Sequence, residues 1–130
     1  MPTALYCVLC DRVEAQDSNL VRLNISGLLA RVRPTVSPPF PLTCNDFRVF
    51  LLLTDLERFL KLSVRVVEAA TGSVVHVTRQ VPISSPGDPR QLMPVAFRIH
   101  QCRLPAEGLY WVECLNEGTV FVRQRLYAEA

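Results

Sequence analysis

No apolar stretch in this chain approaches the ~20 residues that a membrane-spanning helix requires, which excludes a helical span. The first residues, Met1-Pro-Thr-Ala-Leu-Tyr-Cys-Val-Leu-Cys10, lack a positive n-region, and their apolar run stops at Asp11. They do not make a secretory signal. Catalytic signatures are also missing: there is no Gly-x-Ser-x-Gly elbow, no phosphate-binding glycine loop, no His-Glu-x-x-His and no dinucleotide fingerprint. Histidine is scarce, at two residues, so general acid–base work would fall on carboxylates. Asp11, Asp46 and Asp55 lie at expected strand ends, where Asp is common for turn chemistry alone. The chain is expected not to be an enzyme and to need no cofactor.

Charge of one sign is lacking too. The formal net charge of +2 is too small to imply a polyanionic partner. Arg98, Arg103, Arg123 and Arg125 could form a basic stripe near two aromatics, but no RNP-type or OB-type motif accompanies them. A nucleic-acid partner is therefore not expected. Lysine is nearly absent: of the 14 basic residues only Lys61 is not arginine. That matters at contacts, because an arginine fork pairs bidentately or stacks on a ring where lysine cannot. The five cysteines are odd in number and irregular in spacing, which argues against a disulfide framework. They read as small buried hydrophobes in a reducing compartment, and a cytoplasmic location is expected.

What the chain does have is a hydrophobic fraction of 49% in 130 residues, enough for the packed core of one domain. Strand-like runs alternate with turn signals, and no long helical period appears. In Ala4 to Val13, Leu5, Cys7 and Leu9 point one way and Tyr6, Val8 and Cys10 the other, so both faces are apolar and the strand should be covered. Gln16-Asp-Ser-Asn19 reads as a turn. In Leu20 to Ile25, Val21, Leu23 and Ile25 point inward and Arg22 and Asn24 outward. Ser26-Gly27 marks a bulge or kink before a run from Leu28 to Val32.

Pro34 to Pro41 carries four prolines in eight residues, so it is an extended crossover and not a central strand. Phe47 to Leu53 is apolar on both faces and should lie at the centre of a sheet. Thr54-Asp-Leu-Glu57 fits a capping box, which predicts a helical turn over 55–59. Leu60, Leu62, Val64 and Val66 then alternate with Lys61, Ser63, Arg65 and Val67. Ser73 to Val81 places Val75 and Val77 inward and His76 toward solvent. Ser84 to Pro89 reads as a surface loop, after which Val95, Phe97 and Ile99 face inward. The final unit is a hairpin: Leu109 to Leu115, a three-residue loop Asn116-Glu-Gly118, then Thr119 to Tyr127. About eight strands without a repeat or linker predict one antiparallel, two-sheet, Ig-like β-sandwich over residues 1–130.

Several of these elements also carry a resemblance. Asp11 after an apolar first strand, Asn24-Ile-Ser-Gly27 on the second and Phe40-Pro41 in the crossover form the front half of a pattern. Gly108-Leu-Tyr110 before a short Asn-Glu-Gly hairpin forms the back half. Together they resemble a widespread bacterial family of small β-sandwich proteins, known only as a domain of unknown function. The resemblance implies a fold and a bacterial origin, and it brings no catalytic residue with it.

Cys7-Val-Leu-Cys10 has knuckle spacing, but in a strand that spacing sends the two thiols to opposite faces. His100 and Cys102 share a face and could ligate a metal only with Cys44 or Cys114; no clear second pair exists, so no metal site is expected. One surface stands out. With a three-residue loop, Glu113 opposes Phe121 and Trp111 opposes Arg123. Trp111, Glu113, Phe121, Arg123 and Arg125 then share the outer face of the last hairpin, while Tyr110, Val112, Cys114, Val120 and Val122 fill the core. Tryptophan and phenylalanine beside arginines have the composition of a contact hot spot. The competing structural reading is that Arg123 stacks on Trp111, or that the proline-rich crossover covers the face. These residues point to a non-catalytic protein-binding or assembly module of a bacterial cytoplasmic system, with a protein partner or a second copy of itself. The alternative is a small-ligand or glycan binder that stacks on Trp111 and Tyr127.

Overall fold

The computed structural model describes residues 1–15, 23–29, 31–35, 37–85, 88 and 90–129. Among these residues twelve strands occur, beginning with β1 (Thr3–Ala15), β2 (Leu23–Leu28), β3 (Arg31–Val32), β4 (Leu42–Thr43), β5 (Phe47–Thr54) and β6 (Phe59–Glu68). They continue with β7 (Val74–Val77), β8 (Val81–Ser84), β9 (Met93–Ile99), β10 (Arg103–Leu104), β11 (Gly108–Asn116) and β12 (Thr119–Ala128). One sheet runs β2-β1-β5-β9, and a larger one runs β3-β12-β11-β6-β7 with β8 also paired to β6. The short β4 and β10 pair with each other. All pairings are antiparallel except β12 with β3.

The two large sheets close on one apolar interior, so the protein is an all-β sandwich. Leu9, Val49, Leu51, Phe97 and Ile99 come from the four-stranded sheet; Val64, Val66, Val112 and Leu126 come from the larger one. Each such side chain contributes about 1.5–3 kcal/mol by leaving water. β5, which read as apolar on both faces, lies between β1 and β9, and the alternating β6 lies between β11 and β7. In β6 the two-residue period holds as expected, with Leu60, Leu62, Val64 and Val66 all buried.

Two local devices shape the sandwich. Tyr110 is fully buried, yet its hydroxyl donates to the Ala106 carbonyl at 2.6 Å and accepts from the Ala106 N–H at 3.1 Å. It fastens the turn before β11 to the core, which accounts for the tyrosine at the start of that hairpin. Gly27 adopts φ +67°, and a Cβ there would lie 2.3 Å from an Asp11 carboxylate oxygen. Only glycine lets β2 pass that close to β1.

Several expectations are corrected. Among the described residues no helix occurs: 55–58 is an irregular turn, with Asp55 itself at φ 54°. The run from Ser73 to Val81 is two strands, β7 and the start of β8, both lying on β6. The last hairpin turns on two residues, Glu117 and Gly118, at φ 50° and 81°. Positive φ at both positions is what a type I′ turn requires. The turn expected at Gln16–Asn19, the residues Leu20, Val21 and Arg22, and Pro86, Gly87 and Pro89 of the expected loop lie outside the described residues.

Three bulges account for most of the remaining differences. One extra residue, Leu5, interrupts the pairing of β1 with β5; Val75 does the same on β7, and Phe121 on β12. Each extra residue resets which side chains face inward. Leu5 is 50% exposed instead of lying with Cys7 and Leu9, and Val77 is 65% exposed instead of filling the core. His76, opposite Val66, becomes half-buried, and that burial pushes its imidazole below the ordinary histidine range.

Candidate functional site

The centre of the larger sheet carries the residues singled out from the sequence. β11 lies between β6 and β12, so each outward residue of β11 has a neighbour on both sides. The bulge at Phe121 shifts the expected register: Glu113 sits between Arg65 and Arg123, and Trp111 between Val67 and Arg125. Glu113 accepts from Arg65 Nε at 2.7 Å. The Arg123 guanidinium lies diagonally over the indole of Trp111, 3.8 Å from the ring centre, and that of Arg125 lies at 5.7 Å. Stacking of this kind contributes about 0.5–1 kcal/mol at an open site and fixes the direction of the ring.

Four of the five expected residues are therefore brought together: Trp111, Glu113, Arg123 and Arg125. Phe121, the bulged residue, packs against the core instead. Arg65 joins the group across β6; the alternation of β6 marked it as outward, but only pairing reveals its neighbour. Val74, Val77, Arg123, Arg125 and Tyr127 on this side are exposed, so the face is open to solvent. Among the described residues neither Arg123 nor Arg125 pairs with a carboxylate. The surface thus offers an indole braced by two guanidinium groups that have no carboxylate partner among the described residues.

The smaller sheet has a different outer face. A groove of about 490 Å³ is lined by Tyr6, Leu23, Ile25, Phe50, Leu92 and Pro94. Tyr6 is 62% exposed there, and Ile25 faces this groove instead of the core. Sequence reasoning missed the groove because it assigned these apolar residues to covered faces.

A third cluster is polar. Asp46 accepts from Arg98 Nε at 3.0 Å and meets His100 Nδ1 at 2.8 Å. Hydrogen bonds from Arg98 and then His100 hold its carboxyl down at about 2. The pair resembles a base and its orienting acid, but it sits exposed at a sheet end and reads best as an ion cluster tying β9 to the turn before β5. The metal set weighed from sequence does not assemble. Cys44 meets Cys102, whereas Cys114 meets Cys7. Among the described residues no three His, Cys, Asp or Glu side chains converge as metal ligands. No helix among them is long and apolar enough to cross a membrane.

Residues 5–129 match a family described as a family of unknown function, DUF6941. No curated protein matches the chain. Among solved structures, a β-D-glucoside glucohydrolase from Trichoderma reesei is similar over 99% of this chain, at 9% identity and a TM-score of 0.49. The chain spans only 19% of that enzyme's length.

Proposed function

The chain belongs to that family of unknown function, and we propose that it is a non-catalytic protein-binding module whose contact surface is the outer face of the larger sheet. The observation that supports this reading is Trp111 with Arg123 and Arg125 beside it, on an open face where both guanidinium groups lack carboxylate partners among the described residues. A stacked, half-buried indole is an anchor of low entropy cost, and unpaired arginines at its rim favour an acidic protein surface. The low net charge and the single glutamate within the patch speak for a local, shaped contact over a polyanion-binding field. A bacterial origin, as the resemblance implies, fits this role.

Pull-down with the immobilised chain, compared with Trp111→Ala and an Arg123→Glu, Arg125→Glu double variant, tests the reading. The partner retained by the native face should be acidic, should be lost from both variants, and should be released as salt screens the contact. Equal retention by all three, or retention of nucleic acid in place of protein, would remove the case for this face. The glycan alternative has less support, since Arg123 already covers one side of the indole on which a sugar would stack. A rise in melting temperature with a sugar would restore it.

A further inference from the structure

Four of the five cysteines meet in two pairs inside the fold. Cys44 follows β4 and Cys102 precedes β10. The register that pairs Arg103 with Thr43 and Leu104 with Leu42 extends to set Cys102 opposite Cys44. The Cys44 N–H donates to the Cys102 carbonyl at 2.8 Å. Hydrogen-bonded antiparallel partners have Cα atoms about 5.5 Å apart, inside the ~4.4–6.8 Å window for a disulfide. Both side chains are buried, and their thiols are hydrogen-bonded to each other.

Cys7 and Cys114 come from opposite sheets. Gln124 Nε2 donates to the Cys7 carbonyl at 2.9 Å, which fixes β1 beside β12, one strand from β11. Cys7 packs against the core cluster that contains Cys114, and these two thiols also share a hydrogen bond. Cys10, opposite Arg48 on β5, is left without a thiol partner among the described residues.

We propose that Cys44–Cys102 and Cys7–Cys114 are two disulfide-forming sites, closed by exchange with a small-molecule disulfide such as oxidised glutathione. At each site two S–H bonds break and one S–S bond forms. The two protons and two electrons pass to the oxidant, whose own S–S bond is cleaved to two thiols. The order of events follows from the surroundings. Hydrogen bonds from their partners pull Cys7 and Cys44 down, whereas the same bonds and burial push Cys114 and Cys102 up. Cys7 is half-buried and Cys44 lines a cleft of about 180 Å³, whereas Cys114 and Cys102 are closed off, so Cys7 and Cys44 are the thiols that an oxidant reaches first.

The first bond would staple the end of the proline-rich crossover to the strand before Tyr110. The second would rivet one sheet to the other next to Glu113 and Trp111. An odd cysteine count argued against such a framework, but the odd residue is simply Cys10.

The full chain, refolded in a glutathione redox buffer, trapped by alkylation and mapped as peptides, tests this. Before alkylation the oxidised protein should be lighter by four hydrogens; after it, Cys7 should be linked to Cys114, Cys44 to Cys102, and Cys10 alone alkylated. Its melting temperature should exceed that of the reduced form by roughly 5 °C or more. Cys7→Ser and Cys44→Ser should each lose one link and keep the other, and Cys10→Ser should keep both. Five alkylatable thiols after refolding in excess oxidised glutathione, links through Cys10, or a lower melting temperature on oxidation would overturn the proposal.

Discussion

The two sheets share one interior but turn unlike faces to solvent. The smaller sheet shows an apolar groove around Tyr6, Ile25 and Leu92, and the larger one shows Trp111 among arginines and one glutamate. Inner faces are bound by a single requirement, exclusion of water, so both sheets answer it with the same Leu, Val and Ile alternation. Outer faces are free of that requirement. Their differences therefore carry information about contacts, and the larger sheet's face carries the more specific chemistry.

Substitutions of graded effect sharpen this contrast. Leu51→Ala, in the shared interior, should cost about 2–5 kcal/mol in denaturant unfolding, since the cavity cannot fully collapse. Tyr6→Ala, on the groove side, should cost less than about 1 kcal/mol; a loss comparable with Leu51→Ala would mean that the groove is a second core. Gly27→Ala should cost about 1–3 kcal/mol, because it combines an unfavourable φ with a clash against Asp11. Asp11→Ala in the same chain should recover part of that loss. Tyr110→Phe should cost about 1–2 kcal/mol by stripping the Ala106 carbonyl and N–H of their buried partner.

The smallest effect is expected at the ion cluster and shows in pH. The Asp46 carboxyl is held at about 2, below its ordinary 3.8, so its stabilisation is present above the ordinary value. It fades as pH falls from there through about 2. Asp46→Asn should abolish that portion of the acid dependence and lower stability slightly at neutral pH, down to the level the native chain reaches near pH 2, as followed by thermal unfolding from acid to neutral pH.

How far the sequence could be read depends on where the strands stay regular. In β5, β6 and β9 no residue is inserted, because the extra residues fall on the strands beside them, and Val64, Val66, Phe97 and Ile99 lie where the pattern put them. In β1, β7 and β12 one inserted residue resets the phase, and Leu5, Val77, His76 and Phe121 fall on the other side of the expectation. A bulge leaves no hydropathy signal, because the inserted Leu5, Val75 and Phe121 are themselves apolar. Trp111, Glu113, Arg123 and Arg125 stayed together because the shift at the last hairpin was by two residues, which preserves the face. The thiol pairs were hidden for another reason: Cys7 and Cys114, or Cys44 and Cys102, are neighbours only through sheet packing and a pairing of two very short strands.

Trp111 is the single tryptophan of the chain, so its emission reports the proposed contact face alone. Collisional quenching in dilute, low-salt solution is the most direct test of that face. Iodide should quench much more strongly than caesium, because Arg123 and Arg125 draw the anion to the indole; the double Arg→Glu variant should reverse the order. Emission shielded from both ions would mean that the indole is covered, and would contradict an open, electropositive docking surface.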